Sequence, residues 1–361
     1  MNYDSQKNIR QTEVSHITER YYNFTHKKIL FIGALCLLII ISIGIAASTG
    51  SADVSFRDVY TSLLSKIFPD IVESSWLADV CLWKLRFPRI FMGLFAGIAL
   101  GTAGAAMQGA LKNPLADPYM LGIASAAGFG AAIAIVFGTG IFAGKYLIIG
   151  NAFFFSLIAS AVIIAIAEKK GGSAEAMILT GVAVMFLFQA LTTFTEYFAE
   201  AEAVKSAMFW MVGDLGKARW EDFRFVVPIT AILVPILIWK SWDLNIIGAG
   251  DESAKSLGIN VKKFRILIMV VSSLLVAGVV SFVGAIGFIG LVSPHICRLI
   301  IGGDNRFLIP ASGLMGAVFL IISDSIARTV LSPVVVPVGV ITAFLGVPFF
   351  VYLIMYRREY C

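Results

Sequence analysis

A chain of 361 residues that is 58% hydrophobic and only 14% charged falls far below the roughly 25% charge of a soluble domain, so lipid rather than water is its main solvent. Its formal net charge of +5 does not point to nucleic acid, because the basic residues gather at the ends of apolar runs, as interfacial anchors do. Four cysteines without a CxxC pair, and three histidines, argue against a disulfide framework or a metal site.

In chain order, residues 1–27 read as a polar, loose tail. A membrane helix needs about 20 mostly apolar residues. The first uncharged run, 29–52, follows His26-Lys27-Lys28. Its long polar lead favours a retained anchor over a cleaved signal peptide, although Ala46-Ala47-Ser48 resembles a cleavage site. Residues 53–84 form the longest external loop. Uncharged runs follow at 90–111, 118–144, 146–167 and 176–195. A second external loop at 199–222 holds a short helix at 200–212, and a shorter run spans 225–239. The run 266–297 would be about 48 Å long as one helix, against a ~30 Å hydrocarbon core. It breaks near Gly284, Gly287, Gly290 and Pro294 into about 264–283 and 285–302. Segments 307–327 and 337–356 complete ten crossings.

An even count puts both termini on one side. Lys27-Lys28, Lys112, Lys169-Lys170, Lys262-Lys263, Arg265, Arg298, Arg306 and Arg357-Arg358 all fall on that side, which the positive-inside rule makes cytoplasmic. The expected architecture is an all-α integral membrane protein with a single transmembrane domain over 28–357 and a cytoplasmic end at 358–361. Gly93, Gly97, Gly101, Ala105 and Gly109 recur every four residues, so one helix face is flat enough for close approach of a neighbour. Ala277-Gly278 to Pro294 faintly echoes Ala96-Gly97 to Pro114, which suggests an inverted repeat.

Soluble-enzyme chemistry is absent. There is no GxxxxGK[ST] loop to hold ATP, no GxSxG and no HExxH, so no catalytic residue is expected. His295 reads as a packed or capping imidazole. Asp324 is the clearest intramembrane carboxylate, and Arg328, four residues on, can pair with it on one helix face. The pair sits near the outer end, where snorkelling lowers its cost. One such pair is thin provision for an ion-coupled secondary transporter, which stays as the second class.

Two further patterns precede any family comparison. Met185, Gln189, Thr192 and Glu196 fall at i, i+4, i+7 and i+11, a polar stripe on one helix face. It serves either helix–helix hydrogen bonding or a pathway wall. Asp251 to Leu257 suits a short helix stopped by Gly258, and Asn260 can cap the next one.

Five stretches carry a resemblance: RFPR at 86–89, GAAMQGALKNPLADPYMLG at 104–122, LNIIGAGDESAKSLG at 244–258, GAIGFIGLVSPH at 284–295 and PVGVITAFLG at 337–346. Together they resemble the permease family of iron-chelate, haem and cobalamin ATP-binding-cassette (ABC) importers, over roughly residues 29 to 357. The resemblance implies the type II importer permease fold in a cell membrane. It implies a homodimer, two cytoplasmic ATPase subunits that hold the ATP and Mg, and an external solute-binding protein. This chain would bind no cofactor. The cargo would be a bulky metal chelate, iron(III)-siderophore first, with cobalamin or haem as alternatives.

The same resemblance assigns roles. Arg86, Arg89 and Arg328 match docking arginines for an acidic binding protein, a use suited to guanidinium forks. Asp251, Glu252, Ala254, Leu257 and Gly258 fall in the ATPase-coupling segment, 243–265, with Ala254 and Leu257 as its apolar face. The stripe Met185, Gln189, Thr192 and Glu196 becomes the substrate pathway. Ser173, Ala174 and Glu175 stand where the family has its cytoplasmic gate, although Ala174 and Glu175 depart from the hydroxyl-rich pattern there.

Overall fold

A computed structural model describes residues 3–50, 55–68, 74–119 and 121–356, and every regular element among them is helical. Helix α1, Tyr3–Ser48, runs through the expected loose tail as well as the first crossing. No glycine or proline interrupts residues 3–28, so nothing local stops the helix. The expected C-terminal end, 358–361, lies outside the described residues.

The expected external loop 53–84 is largely helical. Helix α2, Phe56–Ile67, starts at a reciprocal Ser55/Asp58 capping box, which satisfies two orphan N–H groups. Trp76–Asp79 and a π-helical stretch, Val80–Arg86, then lead directly into α3, Phe87–Leu111. Pro88 lies in the first turn of α3, where the π-helical stretch passes into it; its missing N–H removes one donor from the ladder at that junction.

Helix α3 is the buried axis of the molecule, and its glycines set how closely neighbours approach. A Cβ on Gly97 would collide with the backbone of Gly316 and Ala317. One on Gly101 would collide with Ser312 O. Both collisions are with α13, Asn305–Thr329. Gly104, off the expected stripe, meets the Gly290 backbone in α12, Ile289–Ile301. Gly93 and Gly109, at the ends of the stripe, meet only side chains, Leu215 Cδ1 at 3.4 Å and Leu244 Cδ2 at 3.3 Å.

Two expected crossings are shorter than the sequence suggests. The run 118–144 contains only α4, Ile123–Phe137, and 285–302 contains only α12. At 1.5 Å per residue these are roughly 20–23 Å long, less than a full hydrocarbon core. Each follows a long buried helix: α4 follows α3, and α12 follows α11, Val261–Val283. Each is entered through a left-handed residue, Gly122 (φ 78°) and Phe288 (φ 70°). Both short helices are largely buried in protein, which is where irregular backbone at membrane depth can be tolerated.

The remaining helices are α5 (Leu147–Lys169), α6 (Ala174–Tyr197), α7 (Ala201–Met211), α8 (Phe223–Trp239), α9 (Ser241–Gly248), α10 (Asp251–Ser256) and α14 (Val338–Tyr356). Among the described residues, seven helices are long and apolar enough to cross a membrane, and three shorter apolar ones accompany them. The main core joins α3, α4, α6 and α11. Helix α1 leans on α13 through Ile39, Ala317 and Val318, and between residues 24 and 48 most of its side chains are exposed.

Gly97→Leu is expected to destabilise the fold by more than about 3 kcal/mol, the upper end of ordinary overpacking, because its obstacle is backbone. Gly44→Leu, with open space at its Cβ, is expected to change stability by less than about 0.5 kcal/mol. Thermal unfolding of the detergent-solubilised variants measures both.

Candidate functional site

The chemistry gathers at the two rims of the helical bundle. At the first rim, Asp324 of α13 is buried and accepts from Arg89 Nε at 2.7 Å, with Arg89 Nη2 at 2.6 Å from the same oxygen. Arg328 Nε stands 3.1 Å from its other oxygen. The i, i+4 pair expected from sequence is therefore present, but it does not snorkel: Asp324 is 2% exposed and Arg328 6%. Arg328 also donates to Ala46 O at 3.1 Å and Thr49 O at 2.9 Å, and Arg86 to Ala47 O at 2.6 Å. The carbonyl end of α1, with its partial negative charge, thus binds two guanidinium groups.

The sequence resemblance assigned Arg86, Arg89 and Arg328 to docking; the structure adds that they are bonded within the chain. All three are engaged with protein groups, because a buried charge needs partners. They form part of the wall of a cavity of about 850 Å³. Its exposed cations are Lys84, Lys145, Lys217 and Arg219. Lys145 pairs with Glu221. Sequence reading passed over Lys84, Lys217 and Arg219; the available signal was their position in expected external loops, against the positive-inside trend.

At the second rim, α10 is short and firmly tied. Asp251 accepts from Lys112 Nζ at 2.5 Å and Arg265 Nη2 at 2.9 Å. The Lys112 hydrogen bond, and then the Arg265 charge, hold its carboxyl below the usual carboxylate range. Gly258 follows in a left-handed conformation (φ 85°), as a helix terminator does. Asn260 caps α11 by accepting from Lys263 N.

The expected apolar face does not form. Ala254 is fully buried against its own chain, whereas Leu257 is 68% exposed. Helical spacing alone put them together, but α10 ends at Ser256. Glu252 and Lys255 pair at 2.8 Å on the exposed surface. Nearby, Asp304 joins Lys28 at 3.3 Å, Asn245 at 2.8 Å and Arg306 at 2.6 Å. Burial works to raise its pKa, but the hydrogen bonds from Arg306 and Asn245 prevail and hold it well below the ordinary value.

The polar stripe on α6 splits. Gln189 is exposed beside Phe186 and Phe194, while Thr192 is buried and donates to Phe188 O at 2.8 Å. Thr192 therefore faces its own chain rather than an open pathway: seven residues fall only slightly short of two helical turns, and Thr192 lies on the packed side of α6 with Val184, Phe188 and Thr195. Met185 and Glu196 are half-buried. Of the three residues expected at the gate, Ser173 caps α6 by accepting from Ala176 N at 3.2 Å; Ala174 is buried and Glu175 exposed.

One buried carboxyl received no role from sequence. Asp117, in the linker between α3 and α4, lies against Gly290 and accepts from Tyr119 N at 3.4 Å. Asp324→Asn, which leaves buried arginines unbalanced, is expected to cost about 3–5 kcal/mol, read as a lower unfolding temperature.

The chain matches the FecCD transport family over residues 35–356. A Methanocaldococcus jannaschii protein named as an ABC transporter permease is 42% identical, covering 95% of this chain and 99% of the relative. The hemin transport system permease of Yersinia pestis is 33% identical, covering 90% and 95%. An inward-facing structure of a metal-chelate type ABC transporter superposes with a TM-score of 0.79 at 28% identity, over 90% of this chain and 98% of that one. A helical membrane chain with no nucleotide loop, matched along almost its whole length by transport permeases, belongs to the FecCD transport family.

Proposed function

We propose that this chain is the permease subunit of an ATP-driven importer for a bulky metal chelate, an iron(III)-siderophore in the first instance. The observation that carries the reading is the family match along residues 35–356 in a chain that itself lacks any nucleotide-binding motif. The Lys112 rim is then cytoplasmic, and α10 with exposed Leu257 seats in an ATPase subunit that supplies ATP and Mg. The Arg86 rim faces outward and receives a solute-binding protein.

In this reading the outer cavity meets acidic side chains through Lys84, Lys217 and Arg219, with Arg86, Arg89 and Arg328 behind them. Rim charges of this kind govern encounter rate and register more than final affinity. A second copy of the chain covers α6, whose open face carries Leu179, Phe186, Gln189, Phe194 and Tyr197. The chelate passes between the two α6 helices when the ATPases close, a two-state change biased by the partners. The Ser173-Ala174-Glu175 turn opens and shuts its cytoplasmic end.

Relatives at 33–39% identity are named for cobalamin, hemin and ferric citrate, so cobalamin or haem is the second reading of the cargo. Ion-coupled transport has less support, because the buried carboxylate Asp324 is ion-paired with two arginines of its own chain.

Uptake of labelled ferric siderophore, haem and cobalamin by cells lacking the gene, beside cells with it restored, is expected to show loss and rescue of ferric siderophore. Normal entry of all three, in a strain with no other such permease, overturns the chelate assignment. Leu257→Arg is expected to abolish transport-coupled ATPase activity, and wild-type activity in that variant refutes the coupling role. The triple change Lys84→Glu, Lys217→Glu, Arg219→Glu is expected to slow binding-protein association by about tenfold at low salt and less at high salt, measured by surface-immobilised kinetics.

A further inference from the structure

Arg265 holds three different parts of the Lys112 rim at once. It is 5% exposed and sits in the second turn of α11. Its Nη2 donates to Asp251 Oδ1 on α10 at 2.9 Å. Its Nε donates to Ala110 O, at the end of α3, at 3.0 Å. Its Nη1 reaches Gly172 O, in the turn before α6, at 3.5 Å. Only a guanidinium has donors spread over one rigid plane for three such partners; a lysine ammonium is a single point.

The three bonds are unequal. Those to α10 and α3 have ordinary lengths, and Lys112 doubles the first by also gripping Asp251. Helix α10 and the end of α3 therefore behave as one body. The bond to Gly172 is at the outer limit for a hydrogen bond and is the first to lengthen or tighten. Gly171 and Gly172 both have φ of 74°, and the next residue is the Ser173 cap of α6. A second contact runs alongside: the Lys262 stem packs on Gly172, and its ammonium stands 3.9 Å from Glu168.

We propose that Arg265 is the positioning residue that passes displacement of α10 to the Gly171-Gly172-Ser173 turn, and so to the start of α6. The inference rests on the coupling role of α10 proposed above and names the residue through which coupling reaches the pathway. When an ATPase moves α10, Asp251 carries Arg265 with it, and the guanidinium draws or releases the Gly172 carbonyl. The orientation of the first turn of α6 follows, because Ser173 Oγ is bonded to Ala176 N.

The test uses the permease with its ATPase and binding-protein partners in proteoliposomes. The four native cysteines are replaced by serine, and Glu175→Cys reports gate exposure to a maleimide. In Arg265→Met the ATPase still co-purifies and hydrolyses ATP, cargo moved per ATP falls at least tenfold, and maleimide labelling no longer responds to nucleotide. Lys112→Met, which removes the other grip on Asp251, keeps cargo per ATP within about twofold of the parent. Arg265→Lys, which keeps the charge, falls between the two and carries the test if the Met variant does not fold.

Unchanged cargo per ATP and intact nucleotide-dependent labelling in Arg265→Met, or in Arg265→Lys if the Met variant does not fold, overturn the proposal. Loss of ATPase co-purification in the Arg265 variants also overturns it, because Arg265 then anchors α10 instead of transmitting its motion. An equal loss in Lys112→Met does the same. A Leu257→Arg variant with wild-type coupled ATPase refutes the coupling reading itself, whatever Arg265 does.

Discussion

Close backbone contact along α3 is the constraint on which the fold depends. Without side chains at Gly97 and Gly101, α13 comes into direct contact with α3. Gly104 and Gly290 do the same for α12. Lipid tails are as apolar as leucine, so helices in a membrane gain little from burying oil against oil. Their association rests on dispersion between closely fitted surfaces. The glycine contacts supply that fit at the centre of the molecule, beside buried Met92, Leu100 and Met107 of the same helix. This arrangement also surrounds α4 and α12 with protein, so that their irregular approaches at 112–122 and 284–288 need no lipid-facing backbone.

The charges follow from the same packing. Because α3 and α13 touch, Arg89 and Asp324 meet although 235 positions separate them, and Arg328 closes the cluster from one turn beyond. Arg86 and Arg328 also donate to the carbonyl end of α1. A cluster of this kind is expensive to desolvate and collapses energetically if one member is removed. It thereby fixes the relation of α1, α3 and α13 at the rim where the cavity opens. Lys84, Lys217 and Arg219 present accessible charge on a foundation the buried arginines hold still.

At the opposite rim the bonding is built for relay rather than rigidity alone. Asp304 gathers α1, α9 and α13 into one fixed knot, whereas Asp251 and Arg265 connect a short exposed helix to a glycine turn. A tight grip on one side and a marginal 3.5 Å contact on the other is the arrangement a two-state element needs. The gate and coupling residues singled out from sequence lie close to this connection, yet its central member, Arg265, carried meaning there only as one positive charge among several.

The membrane class, the order of apolar segments, the glycine face of α3, the short helix at 251–256 and the Asn260 cap were all legible in the amino-acid sequence. Each depends on local periodicity, on residue size or on a single capping side chain. Family motifs read from five stretches were equally legible, because they are long and linear. Contacts between distant segments were not. Spacing could not tell that Ala254 turns inward while Leu257 turns out, that Thr192 faces its own chain, or that 118–144 and 285–302 hold short buried helices. Nor could it show Arg86, Arg89 and Arg328 engaged with α1 carbonyls and with Asp324. Those outcomes depend on which surfaces meet across hundreds of residues, and only packing around α3 decides that.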